Sequence, residues 1–400
     1  MPTVPITTQS SSPPKVRRRR RNEPLRGGPE YWQELQHLAL STGLQAVGVA
    51  PVSEMLHTRE QLRHRIDKKL VNGMQFTFRN PERSTTPSNI VHGAQSMIVA
   101  ALSYAALDAV DSVDALDAVD YPAQVARYAW ADYQQVLKDK LTVISNQLRH
   151  DGHAAVVFAD DNALVDREAA KRAGLGWYGK NANILVEGSG SFFVLGSVIT
   201  TANLPFATES TASCGTCVRC LPACPTGAIV EPGVVDANKC LSWLLQKPGV
   251  FDRQYRVALK DRIYGCDDCQ TVCPPTLRKS VPVKITGTAL RHIDALWILD
   301  ASDEELMKRC DPWYVHQRNP LWLRRNALVI LGNIARPSDE RVVSALRANI
   351  GAQDSILQAH AIWAAARLGL TSLFAHLENT IQDEIVRDEL ENLPTLRGDL

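Results

Sequence analysis

The alternation of apolar and polar positions predicts regular secondary structure from about residue 29 onward. Short apolar runs predict strands at QAVGVA (45–50), SMIVAALSY (96–104) and AAVVFA (154–159). Two further strands are predicted downstream, at ANILV and SFFVLGSVIT. Helical patterns separate these strands, so we expect an α/β layer domain over residues 29–205.

Two helices are predicted within this domain. The first begins at Tyr31 in YWQELQHLALSTG, and a longer one begins near Pro122. In the longer helix, apolar residues recur at helical spacing at Leu137, Leu141, Ile144 and Leu148. An acidic, low-complexity stretch, ALDAVDSVDALDAVDYP, precedes it and indicates an exposed loop or weak helix.

The last part of the chain, residues 286–400, has a helical pattern. LWLRRNALVILGNIA and ILQAHAIWAAARLGL share small and apolar positions, and each is followed by a turn and another helix. This repetition is typical of a short HEAT-like array of stacked helix pairs. A plain helical bundle fits the same pattern.

Composition and charge narrow the class of protein. A chain of 400 residues is long for one hydrophobic core, so two or three domains are expected. The net charge of +1 excludes a globally basic nucleic-acid binder but leaves room for a local basic face. No window of eighteen apolar residues is present, so we expect no membrane span. We also expect a cytoplasmic location and a monomer.

The N-terminal segment, residues 1–28, contains RRRRR at 17–21. A twin-arginine export signal requires an apolar stretch after the arginines, and the polar NEPLRGGPEYWQELQHL follows here instead. We therefore expect a disordered basic tail.

Eight of the nine cysteines lie between residues 214 and 273, and this clustering indicates metal ligation rather than disulfides. The run CGTCVRCLPACP has the C-x2-C-x2-C-x3-C-P spacing of bacterial two-cluster ferredoxins. In such proteins the fourth cysteine of a run ligates the other cluster. We therefore predict a ferredoxin-like domain with two [4Fe-4S] clusters over residues 206–285.

The second run, YGCDDCQTVCPP, supplies three more cysteines, and Cys240 is free to complete the set. The crossover then assigns Cys214, Cys217, Cys220 and Cys273 to cluster 1. Cluster 2 takes Cys224, Cys240, Cys266 and Cys269. Zinc is the alternative metal, but it does not require this spacing. The ninth cysteine, Cys310, is expected to be a buried small residue.

A candidate acid lies in VFADDNALVDREAAKRAGLGWYGKNANIL. Here a strand ends on Asp160, a helix follows, and a loop with Gly174, Gly176 and Gly179 leads to the next strand. Acidic residues at the carboxyl end of a strand lie where α/β sheets bind ligands. A helix N-cap is the competing role, and Asp161 suits it.

These features together resemble the epoxyqueuosine reductase family. The resemblance covers most of the chain after residue 29 and rests on the pieces AVGVAP, NPERSTTP, RYAW, FADDNALVDREAAKRAGLGWYGKN, SCGTCVRCLPACPTGAI, RIYGCDDCQTVCP and LRRNALVILGN. It implies reduction of epoxyqueuosine to queuosine in the anticodon loop of tRNA. Two [4Fe-4S] clusters would relay electrons to cobalamin in the α/β domain, and an unidentified reductase or ferredoxin would supply them.

The resemblance also implies roles for individual residues. The family's proton donor matches Asp160, and a positioned general acid is worth about 10²- to 10⁴-fold in rate. The resemblance implies a base-off cobalamin without a protein histidine ligand. DGHAAV around His153 is compatible with this, since it lacks the D-x-H-x-x-G motif. The implied cobalamin contacts are Arg83, Tyr128, Asp160, Lys180, Asn181 and Asn183.

The chain departs from the family pattern at two positions. Asp161 stands where Ser or Thr is common, and Gln134 replaces an expected histidine. Two other functions therefore stay open: a related cobalamin reductase with another substrate, of the dehalogenase type, and a ferredoxin-type electron carrier.

A tRNA substrate requires contacts to phosphates and bases. Trp313, Trp322 and Trp363 are available for stacking on bases, although tryptophans are usually core residues. Basic residues follow the second cysteine run, and those expected to contact phosphates are Arg278, Lys279, Lys284, Arg318, Arg324 and Arg325.

Overall fold

The computed structural model describes residues 25–105, 119–279, 290–377 and 382–396. Three sequence predictions lie outside the described residues: the arginine run at 17–21, most of the acidic stretch, and Lys284.

The strands within the described ranges are β1 Ala46–Pro51, β2 Ser96–Ser103, β3 Pro122–Val125, β4 Ala155–Ala159, β5 Gly176–Tyr178, β6 Ile184–Val186, β7 Phe193–Thr200, β8 Ile229–Glu231, β9 Val234–Val235, β10 Arg262–Tyr264 and β11 His292–Asp294. The α-helices are α1 Gly28–Ser41, α2 Leu56–Asp67, α3 Pro81–Ser84, α4 Tyr133–His150, α5 Asp166–Arg172, α6 Cys220–Ala223, α7 Leu241–Leu244, α8 Arg253–Leu259, α9 Asp268–Thr271, α10 Pro274–Lys279, α11 Ala295–Asp300, α12 Asp303–Arg309, α13 Leu321–Ile334, α14 Glu340–Ile350, α15 Ser355–Arg367 and α16 Glu384–Glu391.

A four-stranded sheet in the order β1-β2-β7-β4 forms the centre of the first domain. Every residue of β2 is buried, because both faces of the sheet are covered. Ile98, Ala100 and Leu102 pack in the core that α1 and α4 close. The alternate residues, including Met97 and Val99, pack with α5 on the other face.

The strands predicted at both ends of this sheet are confirmed, but their direction differs from a parallel α/β sheet. All three strand pairs are antiparallel. The rule that places ligands at the carboxyl ends of parallel strands therefore does not apply to Asp160. Sequence patterns do not distinguish the two directions here, because a strand buried on both faces is apolar throughout in either case.

The helix predicted from near Pro122 begins eleven residues later, so that prediction is wrong in its start. Residues 122–125 form β3 instead, and Pro122 occupies the first strand position, where a missing N–H is tolerated. The helix starts at Tyr133, because the Asp132 carboxylate accepts a hydrogen bond from the Gln135 backbone N–H.

A second sheet joins segments from the three predicted domains. Its order is β10-β3-β11, with β3 parallel to β10 and antiparallel to β11. Strand β3 comes from residues 29–205, β10 from residues 206–285 and β11 from residues 286–400. These segments thus share backbone hydrogen bonds as well as side-chain contacts.

The C-terminal segment consists mainly of helices, as predicted. α13 and α15 lie in direct contact, and a Cβ atom on Gly332 would lie 2.6 Å from the Trp363 ring. Glycine is therefore needed for this close approach. α14 and α16 both pack on α15. Leu346 of α14 and Val386 of α16 are fully buried. The described residues contain no helix long and apolar enough to cross a membrane.

Candidate functional site

A cavity of about 850 Å³ lies between the first domain and the cysteine segment. Its walls come from α2, from the segment after β4, from α5, from the β5–β6 hairpin and from both cysteine runs. Ligand pockets usually measure roughly 300–1,000 Å³, so this one suits a large ligand.

Asp160 lies on the wall of this cavity, directly after β4. Its φ angle is +53°, a left-handed backbone conformation that costs a non-glycine residue about 1–3 kcal/mol. Burial by the surrounding walls raises the pKa of its carboxyl group, and the neighbouring charge of Asp161 raises it further.

Asp161 also lines the cavity, but its carboxylate has a structural partner. Its Oδ1 accepts a hydrogen bond of 2.8 Å from the Ala163 backbone N–H and closes a local turn. The N-cap of α5 is Val165, so the helix N-cap role suggested for Asp161 is wrong.

Asp166, the first residue of α5, also faces the cavity and was missed by the sequence analysis. Its Oδ1 atom is buried and has no hydrogen-bond partner among the described residues. Burial raises the pKa of the Asp166 carboxyl well above its usual range, and the charge of Asp160 raises it further. An acidic residue in the first turn of a helix is ordinary, so the sequence offered no distinguishing signal.

Gln134 and Tyr128 also line the cavity. The buried Oε1 of Gln134 lacks a partner in the described part of the chain. The Tyr128 hydroxyl lies 3.5 Å from the Ser242 Oγ, and burial raises its pKa. Gly265, at φ +74°, lets this ring approach, since a Cβ there would lie 2.6 Å from the hydroxyl oxygen.

The GKNAN turn divides its side chains between two places. Asn181 and Asn183 line the cavity, and Asn181 Nδ2 donates a 3.1 Å hydrogen bond to the Cys269 carbonyl. Lys180 does not line it, because its Nζ donates to the Gly215 carbonyl at 2.8 Å. Arg83 on α3 is exposed and is likewise absent from the cavity lining.

Four cysteines contribute to the cavity wall: Cys224, Cys240, Cys266 and Cys269. They are the four assigned to cluster 2. Burial raises the pKa of the Cys266 thiol to about 12. Burial also raises the pKa of the Cys240 thiol. The pKa of Cys269 is also raised by burial, and then by the charges of the other three.

The other four cysteines, Cys214, Cys217, Cys220 and Cys273, do not line the cavity. Burial raises the pKa of Cys220, and the charges of the other three add to the shift. The cysteines thus fall into the two groups that the crossover assignment uses. Among the described residues, no three His, Cys, Asp or Glu side chains are gathered tightly enough for a single metal ion.

Cys310 and His153 have structural surroundings. Cys310 is completely buried among the C-terminal helices, which confirms the prediction of a buried small residue. His153 lies after α4, where its Nε2 is 2.8 Å from the Arg26 carbonyl and its ring stacks on Tyr31. It is not among the residues that line the cavity.

The basic residues predicted to contact tRNA differ in exposure. Arg278 is exposed, whereas the side chain of Lys279 lies outside the described residues. Arg318 and Arg324 form surface ion pairs with Asp311 and Asp303, respectively.

Arg325 does not contact RNA, and that prediction is wrong. Its side chain is 1% exposed and donates hydrogen bonds to backbone carbonyls, among them Lys247 and Gly249, both at 2.7 Å. Trp313, Trp322 and Trp363 are also buried, so they act as core residues rather than as stacking platforms.

Two protein-family models match parts of this chain. The family model described as "Epoxyqueuosine reductase QueG, DUF1730" matches residues 85–161. The model described as "4Fe-4S double cluster binding domain" matches residues 213–276. The second match identifies the cysteine segment as a domain for two 4Fe-4S clusters and favours them over zinc.

Characterised relatives cover most of the chain. The epoxyqueuosine reductase of Escherichia coli K12 is 30% identical over 344 residues, which are 84% of this chain and 89% of that protein. The enzyme of Xanthomonas campestris is 31% identical over 349 residues, 84% and 96% of the two chains.

Solved structures agree with the sequence relatives. An epoxyqueuosine reductase bound to an epoxyqueuosine-modified tRNA-Tyr stem loop superposes with a TM-score of 0.82 at 25% identity, covering 90% of this chain and 97% of that one. The Bacillus subtilis enzyme, with its aspartate catalytic loop swung out of the active site, has a TM-score of 0.81 at 25% identity and the same coverage. This chain therefore belongs to the epoxyqueuosine reductase family, a family of oxidoreductases.

Proposed function

We propose that this protein reduces epoxyqueuosine to queuosine in tRNA, with cobalamin and two [4Fe-4S] clusters as cofactors. One observation carries the proposal: a single cavity has Asp160 on its wall together with the four cysteines of one cluster. A proton donor and an electron relay thus share the space in which a substrate would react.

Cluster 1 is proposed to be held by Cys214, Cys217, Cys220 and Cys273, and cluster 2 by Cys224, Cys240, Cys266 and Cys269. Their grouping in space supports this assignment. Buried thiols with raised pKa values retain their protons in the metal-free protein, so iron binding has to displace those protons. Cluster assembly should therefore be favoured as pH rises.

Cobalamin is proposed to occupy the cavity of about 850 Å³. Tyr128, Gln134, Asp160, Asn181 and Asn183 line it and offer polar side chains around the space. Cobalamin, when bound, supplies a reduced cobalt that delivers electrons to the epoxide. The predicted contacts from Arg83 and Lys180 lack this support and stay predictions.

Asp160 is proposed to protonate the epoxide oxygen. Reduction of the epoxide to an alkene takes two electrons and two protons, breaks both C–O bonds and releases the oxygen as water. A raised carboxyl pKa keeps a proton on Asp160 at higher pH than usual, as a general acid requires. The left-handed φ of Asp160 marks a strained segment, which fits a loop that moves, as in the Bacillus subtilis relative.

The tRNA anticodon loop is the proposed substrate, and the relative bound to a modified stem loop supports it. Arg278, Lys279, Arg318 and Arg324 stay the proposed phosphate contacts. Two of them would have to exchange a surface ion pair for RNA, which costs about 0–1 kcal/mol each.

The division of the chain is also a proposal: a basic tail over residues 1–28, a cobalamin-binding α/β domain over 29–205, a two-cluster domain over 206–285 and a HEAT-like domain over 286–400. The monomeric state and the cytoplasmic location stay predictions, the latter supported by the clustered cysteines, which suit a reducing compartment.

Anaerobic turnover tests the proposed function. The protein is reconstituted with iron, sulfide and cobalamin, supplied with dithionite and tRNA containing epoxyqueuosine, and the nucleosides are analysed by mass spectrometry. We expect queuosine to form only when cobalamin is present. Absence of conversion by protein that carries both clusters and reducible cobalamin would contradict the proposed substrate.

A further inference from the structure

The two groups of cysteines differ in what they face. The cluster 2 cysteines line the cavity, whereas the loop that carries three cluster 1 cysteines lies at the surface. Cys217 and Arg219 are exposed, and Val218 between them is 49% exposed. Given the proposed ligand assignment, cluster 1 is the one that an external electron donor can approach.

An open groove of about 530 Å³ lies beside this loop. Both cysteine runs contribute to it, since α6 follows Cys220 and α10 follows Cys273. Leu277 of α10 is 63% exposed, an unusual position for a large apolar side chain. We call this surface the cluster 1 groove; its lining is Arg219, Pro222, Ala223, Thr271, Val272 and Leu277.

Positive charge borders the groove. Arg219, which lines the groove, is exposed and forms no ion pair with a carboxylate in the described ranges. An apolar centre with a charged rim is the usual anatomy of a protein interface. A positive rim selects a partner with negative surface charge and accelerates its approach.

The proposed reaction requires such a partner, because two electrons must enter for each epoxide that is reduced. The clusters accept electrons singly, so a one-electron carrier has to dock twice per turnover. Interfaces between redox partners are small and transient, often below about 1,200 Å² of buried surface. A shallow groove next to an exposed cluster loop suits a small, transient contact of this kind.

We propose that the cluster 1 groove is the docking surface for a small acidic electron-carrier protein of the iron–sulfur or flavin type. In each encounter the carrier is oxidised by one electron and cluster 1 is reduced by one electron. The electron then passes to cluster 2 and the cavity, and the protons for the reaction come from the cavity side. The proposal rests on the proposed function for its cluster assignment.

The experiment compares two electron sources on the reconstituted protein. Reduction of the clusters is followed by stopped-flow absorbance, first with a photoreduced acidic 2Fe-2S ferredoxin and then with dithionite, which needs no docking surface. The variants are Arg219→Glu, which reverses a rim charge, and Leu277→Asp, which removes the apolar contact. Val257→Asp is the matched control, since Val257 is 52% exposed on α8 and lies outside the groove.

We expect both groove variants to slow ferredoxin-driven reduction about tenfold or more at low salt, with the difference shrinking as salt rises. The rate of cluster reduction by dithionite should be the same in all variants. The control variant should also keep the native rate with ferredoxin. Equal ferredoxin rates in native protein and both groove variants would overturn the proposal. A loss of affinity for a tRNA stem loop with unchanged ferredoxin rates would also overturn it and assign the groove to RNA.

Failure of the proposed function gives a different result. Cluster reduction is measured without tRNA, so it reports on docking even if epoxyqueuosine is not the substrate. Absence of queuosine formation with dithionite, combined with ferredoxin rates that depend on Arg219 and Leu277, would reject the substrate and retain the docking surface.

Discussion

The cavity and the junction between the cluster segment and the C-terminal helices both bury polar side chains, but they treat them in opposite ways. In the cavity, Asp166 Oδ1 and Gln134 Oε1 are buried without a partner among the described residues. In the junction, the Arg325 guanidinium donates to several backbone carbonyls and to the Asn326 side chain.

A buried ion pair reinforces the junction. Arg256 forms two hydrogen bonds of 3.0 Å with the Glu389 carboxylate, and its Nε donates to the Phe251 carbonyl at 2.8 Å. His360 is also buried there, and its Nε2 accepts a hydrogen bond from the Phe251 backbone N–H. Burial and the charge of Arg256 lower its pKa, which keeps it neutral and able to accept.

The hydrogen bonding of buried polar groups separates structural from functional side chains in this chain. Buried polar groups in folded proteins nearly always find partners, so those of the junction hold the helices to the cluster segment. The oxygens named for Asp166 and Gln134 make no such hydrogen bond with the described residues. Burial is thus shared by the four side chains, and satisfaction of hydrogen bonds distinguishes Arg256 and Arg325 from Asp166 and Gln134.

The largest expected effect is that of Asp160→Asn. Loss of the proposed acid should reduce single-turnover formation of queuosine about 10²- to 10⁴-fold, with clusters and cobalamin binding retained. The activity of the native protein should fall as pH rises through the raised pKa of Asp160, because the donor has to be protonated. Asp161→Asn is the matched control, and the reverse pattern would identify Asp161 as the donor.

Glu389→Gln should lower stability strongly, because it leaves the Arg256 charge buried without its partner. We expect a loss of about 3–5 kcal/mol, measured as a fall in the denaturant midpoint. Glu384→Gln changes an exposed residue of the same helix and should have little effect. Equal midpoints for the two variants would show that the ion pair does not anchor α16.

Asp166→Asn should raise the free energy of unfolding rather than lower it, in protein without cobalamin. The folded-state pKa of Asp166 lies above its unfolded value, so its stability contribution is retained below the unfolded pKa and lost as pH rises through the folded pKa. Above that range the variant should be more stable than the native protein by about 1 kcal/mol or more, because the amide carries no charge for burial to disfavour and each unit of pKa shift corresponds to about 1.4 kcal/mol. Thermal unfolding from pH 4 to 8 tests this; a constant difference across the range would contradict it.

The smallest effect on stability is expected for Arg278→Ala, because Arg278 is exposed and makes no ion pair with the described residues. Its unfolding midpoint should not change. If Arg278 contacts a phosphate, the slope of log affinity for tRNA against log salt should decrease by about 1. An unchanged slope would remove Arg278 from the RNA-binding surface.

The sequence alone determined the features that depend on local spacing. Cysteine spacing indicated two clusters and the grouping of their ligands, because ligand geometry at a cluster restricts the distance along the chain between neighbouring thiolates. Apolar runs predicted β1, β2, β4 and β7 close to their observed bounds. For β2, which is buried along its whole length, two-sided burial requires continuous apolar residues. The position of Asp160 at the end of a strand, and the helix that follows it, were also predicted from the local sequence.

Only the tertiary structure decided which polar residues face which surroundings. Arg325 and Arg278 are both predicted to contact phosphates, yet Arg325 is buried in the junction and Arg278 is exposed. Asp166 faces the cavity rather than solvent because of how α5 packs on the sheet. Such outcomes depend on contacts between residues far apart in the chain, and local periodicity carries no information about those contacts.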